Sequence, residues 1–338
     1  MEFIADAWYI GASAGEIWGK PLARRVCNEP LVFFRGASGA IVALEDRCPH
    51  RKAPLSLGTV VDGEIACGYH GLKLNEHGRC AWAPLQVGEP PRLAARKYPT
   101  VERFGYVFVW MGKSPAEDAT GLPSWEFMEQ GGWTDFRGYH YVRGHYQLVC
   151  DNLLDLTHLP FVHADTLGRM VDASLYLSPQ KTWVEGDVVH THRDAGSTGL
   201  RPMDPPEIAA VLPEGVLIGR SQNSQFYKPS FVTVGFEGWR EDQPEHRFDT
   251  HYVVNGVTPE TATSCHYFWA VAHRENPAAA DFYRGYHELT IKAFDEDQRM
   301  IEAQQARILD DPTGGKLVDL GGDLAGRHAR GVVRRHLG

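Results

Sequence analysis

The stretch that decides the fold is CPHRKAPLSLGTVVDGEIACGYHGLKLNEHGRC, residues 48–80. It holds one pair, Cys48 and His50, and a second pair, Cys67 and His70, with sixteen residues between the pairs. A thiolate and an imidazole on each of two tight turns can hold a [2Fe–2S] cluster, with one iron on sulfur and the other on nitrogen. Because neutral imidazoles replace charged thiolates, the reduction potential is raised, and the pattern predicts a carrier of single electrons.

Zinc is the main alternative, because four Cys and His ligands can also form a closed tetrahedral zinc site. The ligand order alternates in this chain, whereas classical fingers place two cysteines in one half and two histidines in the other. Backbone N–H groups can also approach bridging sulfides closely at Gly58, Gly63, Gly68 and Gly71. These observations favour the cluster over zinc and over four unrelated buried residues.

The same stretch resembles the Rieske iron–sulfur family over the full length of its two-loop motif. DNLLDLTHLPFVH at 151–163, TPETATSCHYFWA at 258–270 and EDQRMIEAQQ at 296–305 look like oxygenases of the vanillate O-demethylase type. This resemblance extends over nearly all 338 residues. It implies a Rieske [2Fe–2S] cluster held by Cys48, His50, Cys67 and His70, and a second, mononuclear Fe(II) centre.

We expect an α+β protein of two domains. Residues 1–112 show short strands and frequent glycines, which predicts an all-β Rieske domain. Residues 113–123 are polar with proline and glycine, as a linker would be. In residues 124–338, clustered strands followed by a long helix favour an antiparallel sheet flanked by helices. The resemblance implies that this second part is a catalytic domain of helix-grip, START-like architecture.

Apolar and alternating patterns place the elements more closely. Strands are predicted at Leu31–Arg35, Ala40–Leu44, Tyr106–Trp110, Thr182–His192, Val216–Gly219, Ser230–Phe236, His251–Val257 and Ser264–Ala272. A long helix is predicted from Tyr283 to Leu309, and a helix with a proline interruption from Asp151 to His163.

His158 and His163, with a carboxylate from elsewhere, can form a facial triad for non-haem Fe(II) that leaves positions open for dioxygen. Five helical steps place the two side chains about 140° apart, so an unbroken helix would not aim both at one ion. Pro160 lies between them and predicts that the helix kinks or ends there. A helix with two incidental histidines is the alternative interpretation.

The residues alone do not decide which acid is the third ligand. The candidates are three consecutive acids, Asp295, Glu296 and Asp297, and such a run would ordinarily form a solvated helix face. The resemblance to the family's acidic helix motif implies Asp297 as the ligand, with Asp295 as the second choice. It also gives roles to two residues of the first helix. Asp155 shares a helical face with His158 and would bridge His70 of one subunit to His158 of its neighbour in a homotrimer. Asn152 would be a polar group near the iron.

The implied reaction is hydroxylation of a methoxy carbon on an aromatic acid with O2, after which the hemiacetal collapses to a phenol and formaldehyde. No dinucleotide-binding or P-loop motif is present, so a separate NAD(P)H-dependent flavin and [2Fe–2S] reductase must supply electrons.

Relatives with similar motifs act on N-methyl groups, ring methyls or ring positions, and ring dihydroxylation is a rival reaction. A pure electron carrier would leave more than 200 downstream residues without a role, and a zinc-stabilised binding module is the third alternative.

Composition narrows the partners. Lys and Arg total 34 against 43 Asp and Glu, a formal charge of −9, which argues against nucleic acid and an anionic membrane surface. The six cysteines do not form a disulfide framework, which favours a reducing cytoplasm. No apolar run is long enough to predict a membrane-spanning helix.

The substrate pocket is the least determined feature. Asn255 lies where related enzymes often present a polar pocket group, so we expect it to contact substrate. Arg220, Lys228 and Arg240 are candidates to pair with a substrate carboxylate, but surface positions are the ordinary expectation for arginine and lysine. The aromatic run Tyr267–Trp269 is expected in the core.

Overall fold

The computed structural model describes residues 2–114, 116, 121–170, 178–202, 204–315 and 317–337. The chain divides into two compact units. Unit 1 comprises residues 1–122 together with Thr258–Thr261, and unit 2 comprises residues 123–257 and 262–338.

Unit 1 is built from short strands in three sheets. The strands are β1 (Trp8–Ser13), β2 (Leu22–Val26), β3 (Glu29–Arg35), β4 (Ile41–Glu45), β5 (Thr59–Val61), β6 (Glu64–Ala66), β7 (Lys73–Leu74), β8 (Cys80–Trp82), β9 (Lys97–Tyr98), β10 (Thr100–Arg103) and β11 (Tyr106–Trp110). The sheets have the orders β1-β11-β10, β2-β3-β4-β9 and β5-β6-β7-β8. The all-β architecture expected for this part of the chain is confirmed.

The small sheet β5–β8 carries the decisive stretch of sequence. One Cys–His pair lies in the loop before β5, and the other lies between β6 and β7. Cys48 and Cys67 belong to a buried apolar cluster with Leu55, Ile65 and Leu74. Burial of these apolar side chains on one side of the sheet fixes the two loops relative to each other.

Unit 2 is built on one large antiparallel sheet and several helices. Its strands are β12 (Trp133–Val142), β13 (Lys181–Glu185), β14 (Val188–Thr198), β15 (Ile218–Tyr227), β16 (Phe231–Arg240), β17 (Gln243–Thr261, whose last four residues group with unit 1) and β18 (Ser264–Arg274). Its helices are α1 (Tyr146–Leu154), α2 (Leu159–Val162), α3 (Pro206–Val211), α4 (Ala280–Asp310) and α5 (Leu324–His336). The sheet order is β12-β18-β17-β16-β15-β14-β13, and the expected α+β class is confirmed.

Side chains on one face of α4 attach this long helix to the end of β12 and to the residues that lead into α1. Asp295 contacts His140 Nε2 at 3.1 Å, Gln298 donates to Tyr141 O at 2.9 Å, Glu302 accepts from Arg143 N at 3.0 Å, and Gln305 accepts from His145 N at 2.7 Å. The four side chains follow a spacing of three or four residues, so they share one face. This row of hydrogen bonds fixes the register of α4 against the start of α1.

The helix that carries the two histidines breaks at a different residue from the one predicted. The chain leaves helical geometry at Asp155 (φ −118°, ψ 100°), and a 3₁₀ turn, Leu156–His158, leads directly into α2. Asp155 ends α1 and caps the next turn, because its side chain accepts from Thr157 N. Pro160 lies in the first turn of α2, where its missing N–H costs nothing.

The predicted strands are otherwise found with shifted ends. The hairpin β3–β4 and the buried strand β11 confirm the predictions in unit 1. The run Thr182–His192 is wrong as a single strand, because a turn at Gly186 (φ +59°) divides it into β13 and β14. The long helix α4 confirms the predicted one and extends it by a few residues. Among the described residues, no helix has the length and apolar character needed to cross a membrane.

Candidate metal centres and substrate cavity

Two loops of unit 1, loop 1 (residues 48–53) and loop 2 (residues 67–72), have the same backbone geometry. In each, the cysteine N–H donates to the carbonyl five residues later, and the residue four positions later donates back to the cysteine carbonyl, all at 2.8 Å. That later residue has positive φ, +62° at Lys52 and +76° at Gly71. The repeated turn therefore presents each cysteine and its histidine in the same way.

The four side chains of these loops divide by exposure. Cys48 and Cys67 are each 2% exposed, whereas His50 and His70 are exposed, with ring centroids 4.9 Å apart. Burial, and then the neighbouring Cys67 thiol, raise the pKa of Cys48, so this thiol keeps its proton without metal, and iron that binds its sulfur would displace that proton. The set fits a [2Fe–2S] cluster with a buried sulfur side and an exposed imidazole side.

The same geometry argues against a single zinc ion in these loops. Within the described residues, one group of three or more His, Cys, Asp or Glu side chains has ligand atoms within 4.8 Å of one another: His158, His163 and Asp297. The four loop side chains form no such group, which agrees with two ligands on each of two irons better than with four ligands on one tetrahedral ion.

The group in unit 2 joins α1–α2 to α4. Asp297 Oδ1 lies 3.5 Å from His158 Nε2 and 3.3 Å from His163 Nε2. His163 and Asp297 are 2% and 5% exposed. Two imidazole nitrogens and one carboxylate oxygen converging from two segments are the donor set of a facial triad, and they fit a mononuclear Fe(II).

Both histidines have their outer nitrogens held by oxygen acceptors. His158 Nδ1 donates to the Asp155 backbone carbonyl at 2.7 Å, and His163 Nδ1 donates to Glu296 Oε2 at 2.8 Å. Thr166 Oγ1 donates to the same Glu296 oxygen at 2.6 Å. Because Nδ1 carries the proton in each ring, the Nε2 lone pair of each faces the metal position.

The two rings differ in basicity. Burial lowers the pKa of His158, and the charge of Asp297 only partly offsets this effect. Burial also lowers the pKa of His163, but hydrogen bonds to Asp297 and Glu296 outweigh it, so the pKa of His163 is raised. Glu296 was not singled out from the sequence, because one acid within a run of three gives no signal of its own.

Asn152 and Asp155 lie beside this group in different ways. Asn152 Nδ2 donates to Asp297 Oδ1 at 3.0 Å and lies 3.5 Å from His158 Nε2. The Asp155 carboxylate bonds the Thr157 N–H and hydroxyl, both at 2.9 Å. The expected bond between this carboxylate and His158 is therefore made by the Asp155 backbone carbonyl, because capping of the 3₁₀ turn occupies the side chain.

Asp295, the second choice for the carboxylate ligand, points elsewhere. Its side chain is 58% exposed and contacts His140 Nε2 at 3.1 Å. Two residues along a helix correspond to a rotation of about 200°, so Asp295 and Asp297 cannot both face the histidines. The structure brings Asp297, not Asp295, to the two rings.

A cavity of about 160 Å³ lies beside the triad, and His158, His163 and Asp297 form part of its wall. One face of α4 lines it with Tyr286, Thr290, Phe294 and Asp297. Most of the exposed area of the wall is apolar, with contributions from Leu153, Leu156, Leu159, Leu167, Ile208, Ile218, Val234, Val253 and Val271. Polar side chains also line it, among them Asp204, Arg220, Ser221, Gln222 and Glu237. A small aromatic molecule fits such a space in volume and polarity.

Asn255 does not lie in the wall of this cavity. It is fully buried, its amide N–H groups donate to Val232 O and Val253 O, and its Oδ1 accepts from the Tyr267 hydroxyl. The expected contact with substrate is therefore not supported, because the amide is used within the sheet. Tyr267 and its neighbours Phe268 and Trp269 are 4%, 0% and 0% exposed, which confirms their place in the core.

Arg220 contradicts the expectation of a surface arginine, since it is 9% exposed and lines the cavity. Its five N–H groups donate to Asp204 twice, to Thr198 Oγ1, and to the carbonyls of Ile218 and Gly199. All its donors are used, so it attaches the 198–204 segment to β15 and is not a ligand for substrate.

Lys228 and Arg240 lie outside the cavity wall. Lys228 pairs with Asp187 at 2.8 Å, and Arg240 pairs with Asp242 at 2.6 Å. These pairings fit the expected ordinary surface roles.

Comparison with known proteins decides the family. Residues 7–99 match the Rieske [2Fe-2S] domain, and residues 142–337 match the vanillate O-demethylase oxygenase C-terminal domain. This chain belongs to the Rieske oxygenases of the vanillate O-demethylase type. It is thus the oxygenase component of a non-haem iron monooxygenase with two iron centres.

Individual relatives span the whole chain of this Rieske oxygenase. It is 36% identical to a vanillate O-demethylase oxygenase subunit of Pseudomonas sp. (strain HR199 / DSM 7063), over 99% of this chain and 95% of that protein. It is 34% identical to a putative toluene-4-sulfonate monooxygenase iron-sulfur subunit of Comamonas testosteroni, over 99% and 97%. The crystal structure of dicamba monooxygenase bound to dicamba superposes with a TM-score of 0.88 at 26% identity, over 99% and 97%.

Proposed function

We propose that this Rieske oxygenase oxidatively demethylates a methoxyaromatic acid of the vanillate type, with O2 and electrons from a separate NAD(P)H-dependent reductase, releasing formaldehyde. The observation that carries the proposal is that the triad forms part of the wall of a small, mostly apolar cavity. A methyl group held in that cavity lies next to the metal position. Vanillate and toluene-4-sulfonate, which appear in the names of two relatives, are both small aromatic acids.

Residues of unit 2 have separate roles in the proposed reaction. When bound, the mononuclear iron supplies activation of dioxygen, and the cluster supplies electrons one at a time. Asp155 O and Glu296 hold the two imidazoles with Nε2 facing inward, and Asn152 orients the Asp297 carboxylate. The apolar wall excludes water from the reacting carbon. Arg201 lines the cavity and offers a positive charge to balance a substrate carboxylate.

We further propose a homotrimer, acting in a reducing cytoplasm, in which His70 of one subunit contacts Asp155 of the next. The exposed ring of His70 supports this proposal, as does the position of Asp155, whose carbonyl already holds His158. The carboxylate oxygens that cap Thr157 can accept a further hydrogen bond. Electrons would then cross between subunits through a single residue.

The test is a panel of methoxybenzoates incubated with the purified chain, a generic reductase and O2, and scored for formaldehyde. We expect stoichiometric formaldehyde and phenol from at least one acid, and none from the His158→Ala variant. Oxidation of a ring methyl or N-methyl group without any formaldehyde from methoxy substrates would support the alternative substrate classes. Diol from an unmethylated arene, with no formaldehyde from any panel member, would overturn the demethylase assignment.

A further inference from the structure

The C-terminal helix α5 and the 3₁₀ turn before it, Gly321–Asp323, pack against the end of α1. Two glycines of this region lie against carboxylates at that end. A Cβ at Gly322 would lie 2.5 Å from Asp155 Oδ2, and a Cβ at Gly326 would lie 2.6 Å from Asp151 Oδ1. Neither glycine has a positive φ, so the lack of space, and not the backbone conformation, excludes a side chain at both positions.

The same end of α1 also contacts the candidate iron ligands. Asn152 Nδ2 donates to Asp297 Oδ1 at 3.0 Å, and Asp155 O accepts from His158 Nδ1 at 2.7 Å. The segment 151–155 therefore contacts α5 through two carboxylates and two of the three ligands through an amide and a backbone carbonyl. A displacement of this segment would change the direction of both ligands.

The Asp155 carboxylate is held in place on the side away from Gly322. Its Oδ1 accepts from Thr157 N and its Oδ2 accepts from Thr157 Oγ1, both at 2.9 Å. Because these bonds cap the turn Leu156–His158, a methyl group at position 322 that pushed the carboxylate aside would break them. The turn begins at the residue whose carbonyl bonds His158, so its loss would release the ring.

The helix α5 is anchored, so it does not simply move away from a larger side chain. Arg330 bonds both Asp151 and Asp319. One face of the helix is buried against unit 2, with Ala325, Gly326, Ala329, Val332 and Val333. Burial of these residues stabilises the position of α5, and the strain of a side chain at position 322 is therefore expected at Asp155.

We infer that Gly322 is a positioning residue of the mononuclear iron site: it leaves room for the Asp155 carboxylate, and so allows α5 to support the turn that aims His158 at the metal position. The C-terminal helix is thereby part of the support of the iron site. The inference concerns metal binding alone, and it does not depend on which substrate is oxidised.

The test is anaerobic binding of Fe(II) to the chain with its cluster loaded, in competition with a chromophoric chelator. Gly322→Ala should weaken binding at the triad by about tenfold or more, the usual effect of disturbing a group that supports a ligand. Gly321→Ala is the matched control, because it lies in the same turn and a Cβ there would meet no atom within 4 Å. Its affinity should stay within about twofold of wild type. His158→Ala gives the baseline for a site that lacks a ligand, and the cluster absorption checks that unit 1 is unchanged in each variant.

A second change separates this route from a general loss of stability. Asp155→Ser shortens the side chain and still offers an oxygen to cap Thr157 N, so it restores the space that Gly322→Ala removes. In the Asp155→Ser background, Gly322→Ala should therefore change the iron affinity by less than about twofold. If Gly322→Ala alone does not fold, the double variant should fold and bind iron.

Wild-type affinity in Gly322→Ala would overturn the inference, and so would a double variant that is no better than Gly322→Ala alone. Absence of formaldehyde from every methoxy acid, with these iron affinities as expected, would contradict the proposed function alone.

Discussion

At the residue scale, the orientation of each iron-site histidine depends on an oxygen that does not itself contact the metal position. The backbone carbonyl of Asp155 holds His158 and cannot be removed by mutation. Glu296 holds His163 with a charged side chain, which Thr166 also bonds. Glu296 is therefore the accessible position at which to test how much this support contributes.

We predict that Glu296→Gln weakens iron binding in unit 2 by about tenfold to a hundredfold, the usual effect of losing such a supporting carboxylate. The amide oxygen can still accept from His163 Nδ1, but without the negative charge that makes the ring a better ligand. Iron per chain after dialysis against a weak chelator measures this. Glu288→Gln, an exposed acid on the same helix, is the matched control. Equal iron retention in the two variants would contradict the role given to Glu296.

Gly71 in loop 2 and Gly63 in the turn between β5 and β6 supply a second test at single residues. Gly71 has φ of +76°, but a Cβ there would meet only Trp82 Cζ3 at 3.7 Å, an ordinary contact. At Gly63, also at +76°, a Cβ would lie 2.0 Å from Ala37 N.

Gly71→Ala should therefore cost only backbone strain, about 1–2 kcal/mol, and retain the cluster absorption, as Lys52 does in the equivalent place. Gly63→Ala should cost clearly more, because backbone must move. Urea unfolding of the two variants compares them, and the reverse order of stability would be inconsistent with the loop geometry.

At the element scale, the ends of α1 are held by the long helix α4 and by the C-terminal helix α5. Among the basic residues of α5, Arg330 bonds both Asp151 on α1 and Asp319. Asp151 is largely buried, and burial raises its pKa to about 6 despite Arg330. Asp319 and Asp323 add to the rise, and the buried Cys150 thiol lies nearby.

This raised pKa predicts a pH dependence of stability with a definite sign. The folded-state pKa of Asp151 is above the value of 3.8 for a free side chain, so the folded state binds the proton more tightly than the unfolded state. Proton binding at Asp151 therefore stabilises the folded state by about 3 kcal/mol below pH 4, and this stabilisation is lost as the pH rises through 6.

Asp151→Asn does not titrate, so the free energy of unfolding of wild type minus that of the variant should decrease as the pH rises from 4 to 7. Urea unfolding at several pH values measures this difference. A difference that is constant or increases over that range would disprove the linkage.

The same elements show what the sequence could and could not predict. The alternating Cys and His residues and the pair His158 and His163 are local patterns, so candidate ligand positions can be predicted from them directly. The helix break was assigned to Pro160, because a proline is visible in sequence, whereas the capping by Asp155 depends on a hydrogen bond that only the fold creates. Asn255 is predicted to line the pocket from resemblance to related enzymes, and the sequence could not correct this, because strand alternation does not reveal which face of a sheet meets a cavity.

At the scale of the whole molecule, the two iron centres lie in separate compact units, each with its own core. The cluster loops are supported by the apolar side chains of unit 1, and the triad by α1, α2 and α4 of unit 2. Loss of one metal should therefore leave the other site folded.

We expect His158→Ala to retain the visible and electron paramagnetic resonance spectra of the cluster and its reduction by a reductase, while formaldehyde release falls by at least about a thousandfold. The physical reason is that the triad loses one of three ligands, whereas none of the cluster ligands is touched. Cys67→Ala removes a candidate cluster ligand, so the visible and electron paramagnetic resonance spectra of the cluster should be lost. If His158→Ala also bleached the cluster, the two sites would not be structurally independent.

The five donors of Arg220 have a consequence for how substrate range can change. One guanidinium bonds Thr198 at the end of β14, Gly199 and Asp204, and Arg201 and Asp204 of this segment line the cavity. A substitution at Arg201, between these contacts, can therefore change the shape that the cavity offers to an incoming molecule, while the contacts of Arg220 and the helices that carry the candidate iron ligands stay in place.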